Sequence, residues 1–284
     1  MGELEPLQVG VMFWTGGELG IDALPADIAR MVAELGVQCG QIGIHGGADL
    51  GETSRLAWRQ ALTGEGITVV TAFPGFDGES YVDIPAVKDT VGYVPAATRK
   101  AREARTCEAS DFARALGIPG LATHIGFVPE DTAESDYLAV RDLVRRVCDY
   151  CERNGQTFAL ETGQEPAEAL KAFIEDVDRP NLGVNFDPAN MILYGSGEPL
   201  DALEVVQQWL MTVHCKDAKW PTKSGEWGTE TPLGQGDVGM DRFVAKLKEY
   251  GYSGPLTIER DIVGDAQRAD IQQGVALLDK LRAA

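Results

Sequence analysis

The stretch Leu182–Asn190 reads Leu-Gly-Val-Asn-Phe-Asp-Pro-Ala-Asn, an apolar run that stops abruptly at an acid followed by proline. Proline has no N–H group to give to a sheet, and it disfavours helical geometry in the residue before it. A buried strand is therefore predicted to end at Asp187, where a loop begins. Because chemistry in parallel α/β proteins collects at the carboxyl ends of the strands, Asp187 is a candidate site residue.

Three other apolar runs in the second half of the chain also end on a side chain that can bind a metal ion. They are Thr157–Gly163 with Glu161, Met211–Asp217 with His214, and Pro255–Asp261 with Glu259. One acid after a strand is a weak signal, because such acids commonly cap helices or begin turns. Four successive strand ends that carry Glu, Asp, His and Glu together predict one shared site.

Eight strand–helix units follow one another along the chain without a linker or a shift in composition. The predicted strands are Gln8–Thr15, Cys39–Gly47, Thr68–Phe76, Leu121–Val128, Thr157–Thr162, Leu182–Asp187, Met211–Cys215 and Pro255–Glu259. The predicted helices are Pro25–Gly36, Ser54–Thr63, Ala97–Leu116, Tyr137–Arg153, Pro166–Val177, Leu200–Leu210, Met240–Tyr250 and Gln267–Leu281. Such alternation implies a parallel sheet with right-handed crossovers. We expect one (β/α)₈ TIM barrel domain over residues 1–284, with an open doubly wound sheet as the alternative.

Composition excludes several classes of function. The net charge is −19, from 25 basic and 44 acidic residues, which opposes binding to nucleic acid. No apolar run is long enough to span a membrane, and residues 1–6 lack the basic and apolar segments of a secretory signal. We therefore expect a cytoplasmic protein. Its five cysteines are expected to be free thiols, with Cys148 and Cys151 packed on a helix face.

The segment Gly234–Gly239 matches the pattern G-x-G-x-x-G, which in other contexts indicates a dinucleotide-binding loop. That motif must follow a strand directly within an early strand–helix–strand unit. Here it follows a long polar loop predicted over Ala218–Asp237, near the end of the chain. We expect a glycine-rich turn that leads into the next helix.

Three carboxylates crowded at one barrel mouth would repel one another and take up protons unless a cation joined them. Glu161, Asp187, His214 and Glu259 are therefore predicted to bind one divalent metal ion. Three oxygen donors and one imidazole suit Mn²⁺, the expected ion, with Mg²⁺, Co²⁺ and Zn²⁺ as alternatives.

A metal ion that binds a carbonyl and the neighbouring hydroxyl acidifies the C–H group between them and stabilises the resulting enediolate. One carboxylate then removes the proton and a second one returns it. Glu161 and Glu259, on the first and last of the four strands, are the predicted catalytic pair. Return of the proton to the opposite face gives epimerisation, and return to the adjacent carbon gives isomerisation.

The order of these residues resembles the xylose isomerase-like TIM barrels. It comprises Glu161, Asp187-Pro188, His214-x-Lys216-Asp217, the turn Pro232–Asp237 and Ile258-Glu259-Arg260. More narrowly, it is similar to the sugar phosphate isomerase/epimerase family, with its ketohexose 3-epimerases, hydroxypyruvate isomerase and inosose dehydratase. The resemblance implies that the same four residues are metal ligands and that the two glutamates are the acid/base pair.

Two positions depart from the pattern of the ketohexose 3-epimerases. Those enzymes usually have a histidine three residues after the aspartate, where this chain has Asn190. They also have an arginine soon after the ligand histidine, where this chain has Lys219 and Trp220. The resemblance therefore implies the shared chemistry without a particular sugar.

Five further residues are candidates for substrate binding at the predicted mouth: His45, His124, Asn190, Lys216 and Trp14. The histidines can bind a sugar hydroxyl or only line the barrel, and Trp14 can pack against a sugar face or only against protein. Lys216 can stabilise an enediolate oxygen or only pair with a carboxylate.

The predicted function is that of a metal-dependent isomerase or epimerase of a keto sugar or related polyol, in a monomer or a homo-oligomer. The alternatives are a metal-dependent lyase, dehydratase or hydratase acting on a 3-keto sugar, keto-glycoside or cyclitol, and a non-catalytic sugar-binding barrel. An abasic-site endonuclease is opposed by the charge of −19 and by the presence of only three histidines.

Overall fold

The computed structural model describes residues 4–16, 23–223 and 225–284. Residues 1–3 of the N-terminal segment considered above, and Ser224 of the predicted polar loop, lie outside these ranges. Every helix in the described ranges is too short or too polar to cross a membrane.

Eight parallel strands close into a barrel, in the order β1-β10-β7-β6-β5-β4-β3-β2. They are β1 (Val9–Trp14), β2 (Cys39–Ile44), β3 (Thr68–Pro74), β4 (Gly120–Thr123), β5 (Thr157–Glu161), β6 (Leu182–Phe186), β7 (Leu210–Cys215) and β10 (Leu256–Ile258). Val11 of β1 pairs with Gly40 of β2 on one side and with Ile258 of β10 on the other, which completes the ring. The predicted barrel is confirmed, and the open-sheet alternative is wrong.

Helices cover the outside of the barrel, and their apolar faces pack against the strands. They are α1 (Pro25–Glu34), α2 (Glu52–Glu65), α3 (Ile84–Thr90), α4 (Arg99–Leu116), α5 (Ser135–Arg153), α6 (Ala167–Val177), α7 (Pro188–Tyr194), α8 (Pro199–Val206), α9 (Met240–Glu249) and α10 (Asp265–Ala283). On α5, Val140, Leu143 and Val144 recur at helical spacing and are fully buried. Cys148 and Cys151 continue this buried face as free thiols, as expected.

Two short helices, α3 and α7, were not predicted. Both have seven residues and a proline in the first turn. An aspartate side chain caps each one: Asp83 accepts a hydrogen bond from Ala86 N at 2.8 Å, and Asp187 accepts one from Ala189 N at 2.8 Å. Their apolar runs are too short to show helical periodicity, so the capping aspartate followed by proline was the available signal.

The fourth strand is shorter than predicted, because it ends at Thr123 and the prediction extended to Val128. Gly126 takes the left-handed conformation with φ +87°, and the carbonyl of Ile125 accepts a hydrogen bond from Tyr93 N at 2.9 Å. The chain therefore pairs with a neighbouring loop after Thr123, and His124 follows the strand instead of lying inside it.

The predicted loop Ala218–Asp237 contains regular structure that the sequence did not indicate. Strands β8 (Asp217–Lys219) and β9 (Thr229–Thr231) form an antiparallel hairpin separate from the barrel. At three residues each, these strands are too short to show the alternation typical of a sheet.

The glycine-rich loop after this hairpin wraps around the buried carboxylate of Asp217. Oδ2 of Asp217 accepts hydrogen bonds from Gly234 N at 2.9 Å and Gly236 N at 3.0 Å. Its Oδ1 accepts hydrogen bonds from Val238 N at 3.2 Å and Ala218 N at 3.0 Å. A Cβ atom on Gly236 would lie 2.2 Å from Asp217 Oδ1, so this position requires glycine. The loop thus binds an anionic group, but that group is the carboxylate of Asp217 in the same chain.

We expect Asp217→Ala to lower the free energy of unfolding by about 2–3 kcal/mol, because it leaves four backbone N–H groups without their acceptor. Urea denaturation measures this change. The matched control is Asp241→Ala in the first turn of α9, an exposed acid whose loss costs about 0.5 kcal/mol. Equal destabilisation by the two variants would contradict the role given to Asp217.

Candidate metal centre

Four adjacent barrel strands bring the predicted cluster together at their carboxyl ends. Glu161 is the last residue of β5, Asp187 follows β6, His214 lies in β7, and Glu259 follows β10. One donor atom from each residue lies within 4.8 Å of the other three. Glu161, Asp187 and His214 are at most 2% exposed. The chain therefore places three carboxylates and one imidazole in a space that water hardly reaches.

The imidazole of His214 is the centre of this cluster. Its Nδ1 lies 3.0 Å from Glu161 Oε1, 3.3 Å from Glu259 Oε2 and 3.7 Å from Asp187 Oδ2. Its Nε2 lies 3.2 Å from Gln41 Oε1, which can only accept, so Nε2 carries a proton and donates it. In the neutral imidazole, the lone pair of Nδ1 therefore points at the carboxylates.

The carboxylates change the protonation of this histidine. Burial alone would lower the pKa of His214, but the charges of Glu259 and Glu161 outweigh burial and raise the pKa well above its ordinary value. A proton on Nδ1 thus supplies positive charge when no other cation does. A divalent ion that displaces this proton would meet the same need for positive charge.

Asp187 has one carboxylate oxygen with hydrogen-bond partners and one without. Oδ1 caps helix α7, accepting hydrogen bonds from Ala189 N at 2.8 Å and Asn190 N at 3.0 Å. Oδ2 is buried, and its distance of 3.7 Å to His214 Nδ1 is longer than a hydrogen bond. Burial raises the pKa of this carboxyl to about 6. A buried oxygen without a donor costs free energy, and a metal ion among the four residues would remove that cost. The residues present therefore fit a divalent cation.

Both oxygens of Glu161 are bound by side chains at the mouth. Asn190 Nδ2 donates to Oε1 at 3.1 Å, and His124 Nε2 lies 3.1 Å from Oε2. Gln164 Nε2 donates to His124 Nδ1 at 2.9 Å, which leaves the proton of His124 on the nitrogen that faces Glu161. Asn190 and His124 thus contact a metal-site carboxylate directly and also line the cavity described below.

Glu259 is paired with the buried ammonium of Lys216, whose Nζ lies 3.1 Å from Oε2. Lys216 also forms an ion pair with Asp261. Burial would raise the pKa of Glu259, but the charges of His214 and Lys216 outweigh it and hold the pKa well below the ordinary value. Glu259 is therefore ionised at neutral pH and can accept a proton.

A cavity of about 560 Å³ opens above the cluster and includes Glu161 and Glu259 in its lining. Aromatic side chains form much of its wall: Trp14, Phe73, Tyr81, Tyr194 and Trp227. The ring centroid of Phe73 lies 5.9 Å from that of His214, and Tyr194 lies 4.8 Å from Trp227. Apolar ring faces beside carboxylates suit a sugar, which has both C–H faces and hydroxyl groups.

The structure brings four of the five candidate substrate residues to this cavity and leaves one outside it. His124, Asn190, Lys216 and Trp14 line the cavity. His45 lines a separate cavity of about 310 Å³ on the other side of Trp14, with the two ring centroids 5.1 Å apart.

Several residues at the site were missed by sequence reasoning. They are Gln41, Gln164, Tyr194, Trp227 and Asp261. The signal for Gln41 was a polar side chain inside an apolar strand, and Asn185 and Thr212 share this property. Gln41 Nε2 donates to Thr212 Oγ1 at 2.8 Å and to Asn185 Oδ1 at 3.3 Å, so these side chains form a polar layer inside the barrel.

The fold and the cluster define a parallel (β/α)₈ barrel with a candidate metal site at its carboxyl-end mouth. The family model for the xylose isomerase-like TIM barrel matches residues 29–281, so this chain belongs to that family. The resemblance seen in the sequence is thereby confirmed.

The proteins similar to this chain include one solved structure and one curated protein. A xylose isomerase domain protein from Planctomyces limnophilus is 42% identical, with a TM-score of 0.92 and 98% of both chains covered. Among curated proteins, the chain is 25% identical over 161 residues to the uncharacterised protein MJ1311 of Methanocaldococcus jannaschii. That match covers 52% of this chain and 53% of MJ1311, so it spans about half the length of that relative.

Two solved enzymes share the fold at lower identity. A D-psicose 3-epimerase, studied in the presence of D-fructose, is 15% identical with a TM-score of 0.71, and 97% of this chain and 100% of that one are covered. The probable 3-DHS dehydratase AsbF from Bacillus anthracis is 16% identical with a TM-score of 0.68, and 95% and 99% are covered. At these identities the likeness shows the fold alone.

We expect Gln41→Leu to weaken Mn²⁺ binding about 10–100-fold, because it removes the acceptor that fixes the tautomer of His214. Calorimetric titration of the metal-free protein measures this affinity, with circular dichroism to verify folding. The matched control is Gln38→Leu at an exposed position just before β2, where no change is expected. Equal affinities in the two variants would show that Gln41 does not orient the histidine.

Proposed function

We propose that this protein is a divalent-metal-dependent isomerase or epimerase that acts on a keto sugar or a related polyol. The observation that carries the proposal is the unpartnered Oδ2 of Asp187, buried in a cluster of three carboxylates and one imidazole at the mouth of the barrel. A divalent ion bound by these four residues would remove the cost of leaving this oxygen without a donor.

Glu161, Asp187, His214 and Glu259 are the proposed ligands, and Mn²⁺ is the proposed ion. When bound, such an ion supplies Lewis acidity that polarises a carbonyl group and lowers the pKa of the neighbouring C–H group. The oxygen-rich donor set with one imidazole supports a hard or borderline ion.

Glu259 and Glu161 are the proposed acid/base pair. They lie at opposite ends of an arc of four strands, with Asp187 and His214 between them. Glu259 is ionised and can remove a proton from carbon. Glu161, which receives hydrogen bonds from Asn190 and faces the N–H of His124, can hold and return one. Return to the opposite face epimerises the carbon, whereas return to the adjacent carbon isomerises the sugar.

Three other side chains have proposed roles in this step. The ammonium of Lys216, 3.1 Å from Glu259, supplies positive charge near an oxygen that becomes negative when the proton leaves carbon. The rings of Trp14 and Phe73 exclude water and pack against the C–H face of the sugar.

A lyase or dehydratase is the second candidate, because the same cluster and cavity can begin its reaction. Its reaction begins with the same proton abstraction, and a hydroxyl or aglycone then leaves from the neighbouring carbon. A non-catalytic sugar-binding barrel is disfavoured, because both glutamates of the acid/base pair are present and face one cavity.

In D₂O with Mn²⁺, we expect the protein to exchange a carbon-bound hydrogen of at least one keto sugar or cyclitol in a panel. Because the proton removed by a glutamate mixes with solvent, deuterium should appear in recovered substrate and in the isomeric product. Mass spectrometry and NMR measure the label, and the chelated protein is the control. A product lighter by water or an aglycone would favour the lyase, and exchange unaffected by the chelator would overturn the metal model.

Glu259→Gln is expected to lower turnover about 10²–10⁴-fold at saturating Mn²⁺, because it removes a proton acceptor and keeps an oxygen in place. Steady-state kinetics on the substrate found above measure the loss. Glu226→Gln, an exposed acid outside the cavity lining, is the control and should keep full activity. Turnover that survives in Glu259→Gln would exclude this mechanism for any substrate.

A further inference from the structure

The carboxyl-end side of the barrel contains the three features with which proteins commonly bind phosphate or carboxylate groups. These are a buried cationic side chain, the N-terminus of a helix that begins at a strand end, and a glycine-rich loop whose N–H groups converge. In this protein a carboxylate of the chain itself already occupies each of them.

The cation is Lys216, the one lysine or arginine among the described residues that line the cavity. Its side chain is 4% exposed, and its ammonium is bound to Glu259 at 3.1 Å and to Asp261. Two anions therefore share one cation, and a third would have to displace one of them. The other basic group in the lining, His124, faces Glu161 at 3.1 Å and accepts from Gln164.

The helix N-terminus is that of α7, which follows β6 directly at the mouth. Its first residue, Pro188, has no N–H group, and the next two N–H groups donate to Asp187 Oδ1 at 2.8 Å and 3.0 Å. The N–H groups that would bind an incoming anion are thus already satisfied.

The N–H groups of the glycine-rich loop also have an acceptor within the protein. N–H groups of Gly234, Gly236 and Val238 all point at the buried carboxylate of Asp217. Its exposed fraction is 1%, so no ligand can replace this carboxylate without opening the loop.

The remaining charged groups of the cavity wall offer an anion no attraction. Glu79, Glu230 and Asp261 line the cavity in addition to the cluster carboxylates. Glu230 is neutralised by Arg260 at 2.7 Å, whereas the nearest guanidinium to Glu79, that of Arg102, lies 3.9 Å away. A charged substrate would lose its hydration here, and beyond the divalent ion of the proposed function the described lining offers it no unpaired cation.

We propose that the substrate of this site is an uncharged sugar or polyol, which carries neither a phosphate ester nor a carboxylate. This inference rests on the proposed function and narrows its substrate class. Recognition then depends on hydroxyl groups that donate to the wall carboxylates and on C–H faces that pack against Tyr194 and Trp227. Asp261 is the residue that keeps Lys216 from binding an anionic substrate.

The test compares a neutral ketose with its phosphate ester, D-fructose with D-fructose 6-phosphate, on the intact Mn²⁺-loaded protein. Asp261→Asn leaves Lys216 with one carboxylate partner, so we expect its affinity for the phosphate ester to rise about tenfold over wild type. Binding is measured by calorimetry and by the shift in unfolding temperature. Glu226→Gln, which removes the same charge outside the cavity, should leave the affinity unchanged.

Binding of the phosphate ester to wild type more tightly than the neutral ketose would overturn the proposal. So would an Asp261→Asn protein whose affinity for the ester stays at the wild-type value. Because both measurements read binding without turnover, they are independent of whether any sugar is isomerised. Absence of metal-dependent exchange across the sugar panel would count against the proposed function instead.

Discussion

Mutual repulsion among three carboxylates is the constraint on which the arrangement of this barrel mouth depends. Glu161 and Asp187 are buried and Glu259 is 12% exposed, so water screens their charges poorly and the site requires positive charge. In the structure His214 supplies part of it, with a pKa raised by the surrounding acids although burial opposes this. Lys216, shared with Asp261, supplies a further part from the side of Glu259. A divalent ion would meet the same requirement with a charge that does not depend on pH.

Polar side chains inside the barrel orient the histidine of this cluster. Gln41 accepts a hydrogen bond from His214 and is itself held by Thr212 and Asn185, so the ring nitrogen that faces the carboxylates is fixed. These polar side chains are tolerated inside the barrel because each one bonds to another. The hydrogen-bonded layer therefore links the packing of the strands to the orientation of the cluster at their carboxyl ends.

Asp187 shows that capping a helix and lining a candidate metal site are compatible roles for one carboxylate. Its Oδ1 is used by the first turn of α7, and its Oδ2 is left for the cluster. Two other acids also bind groups of the protein itself. Asp217 accepts hydrogen bonds from the glycine-rich loop, and Asp261 forms an ion pair with Lys216. Internal acids thus occupy the N–H groups and the ammonium that an anionic ligand would need, and the cavity wall is left with carboxylate and aromatic surfaces.

The sequence by itself determined the barrel and its four-residue cluster, because strand–helix alternation and strand-final acids are local patterns set by hydrophobic periodicity and proline. It did not determine that His45 lies outside the cavity or that Tyr194 and Trp227 form its wall. Tyr194 ends helix α7, which the sequence did not indicate, and Trp227 lies in a segment whose course depends on distant packing. Nor did the sequence show that Lys216 is shared between Glu259 and Asp261, two residues from another strand end. These groups meet only in the folded barrel, because the pairing of β7 with β10 brings together strand ends that are far apart in the chain.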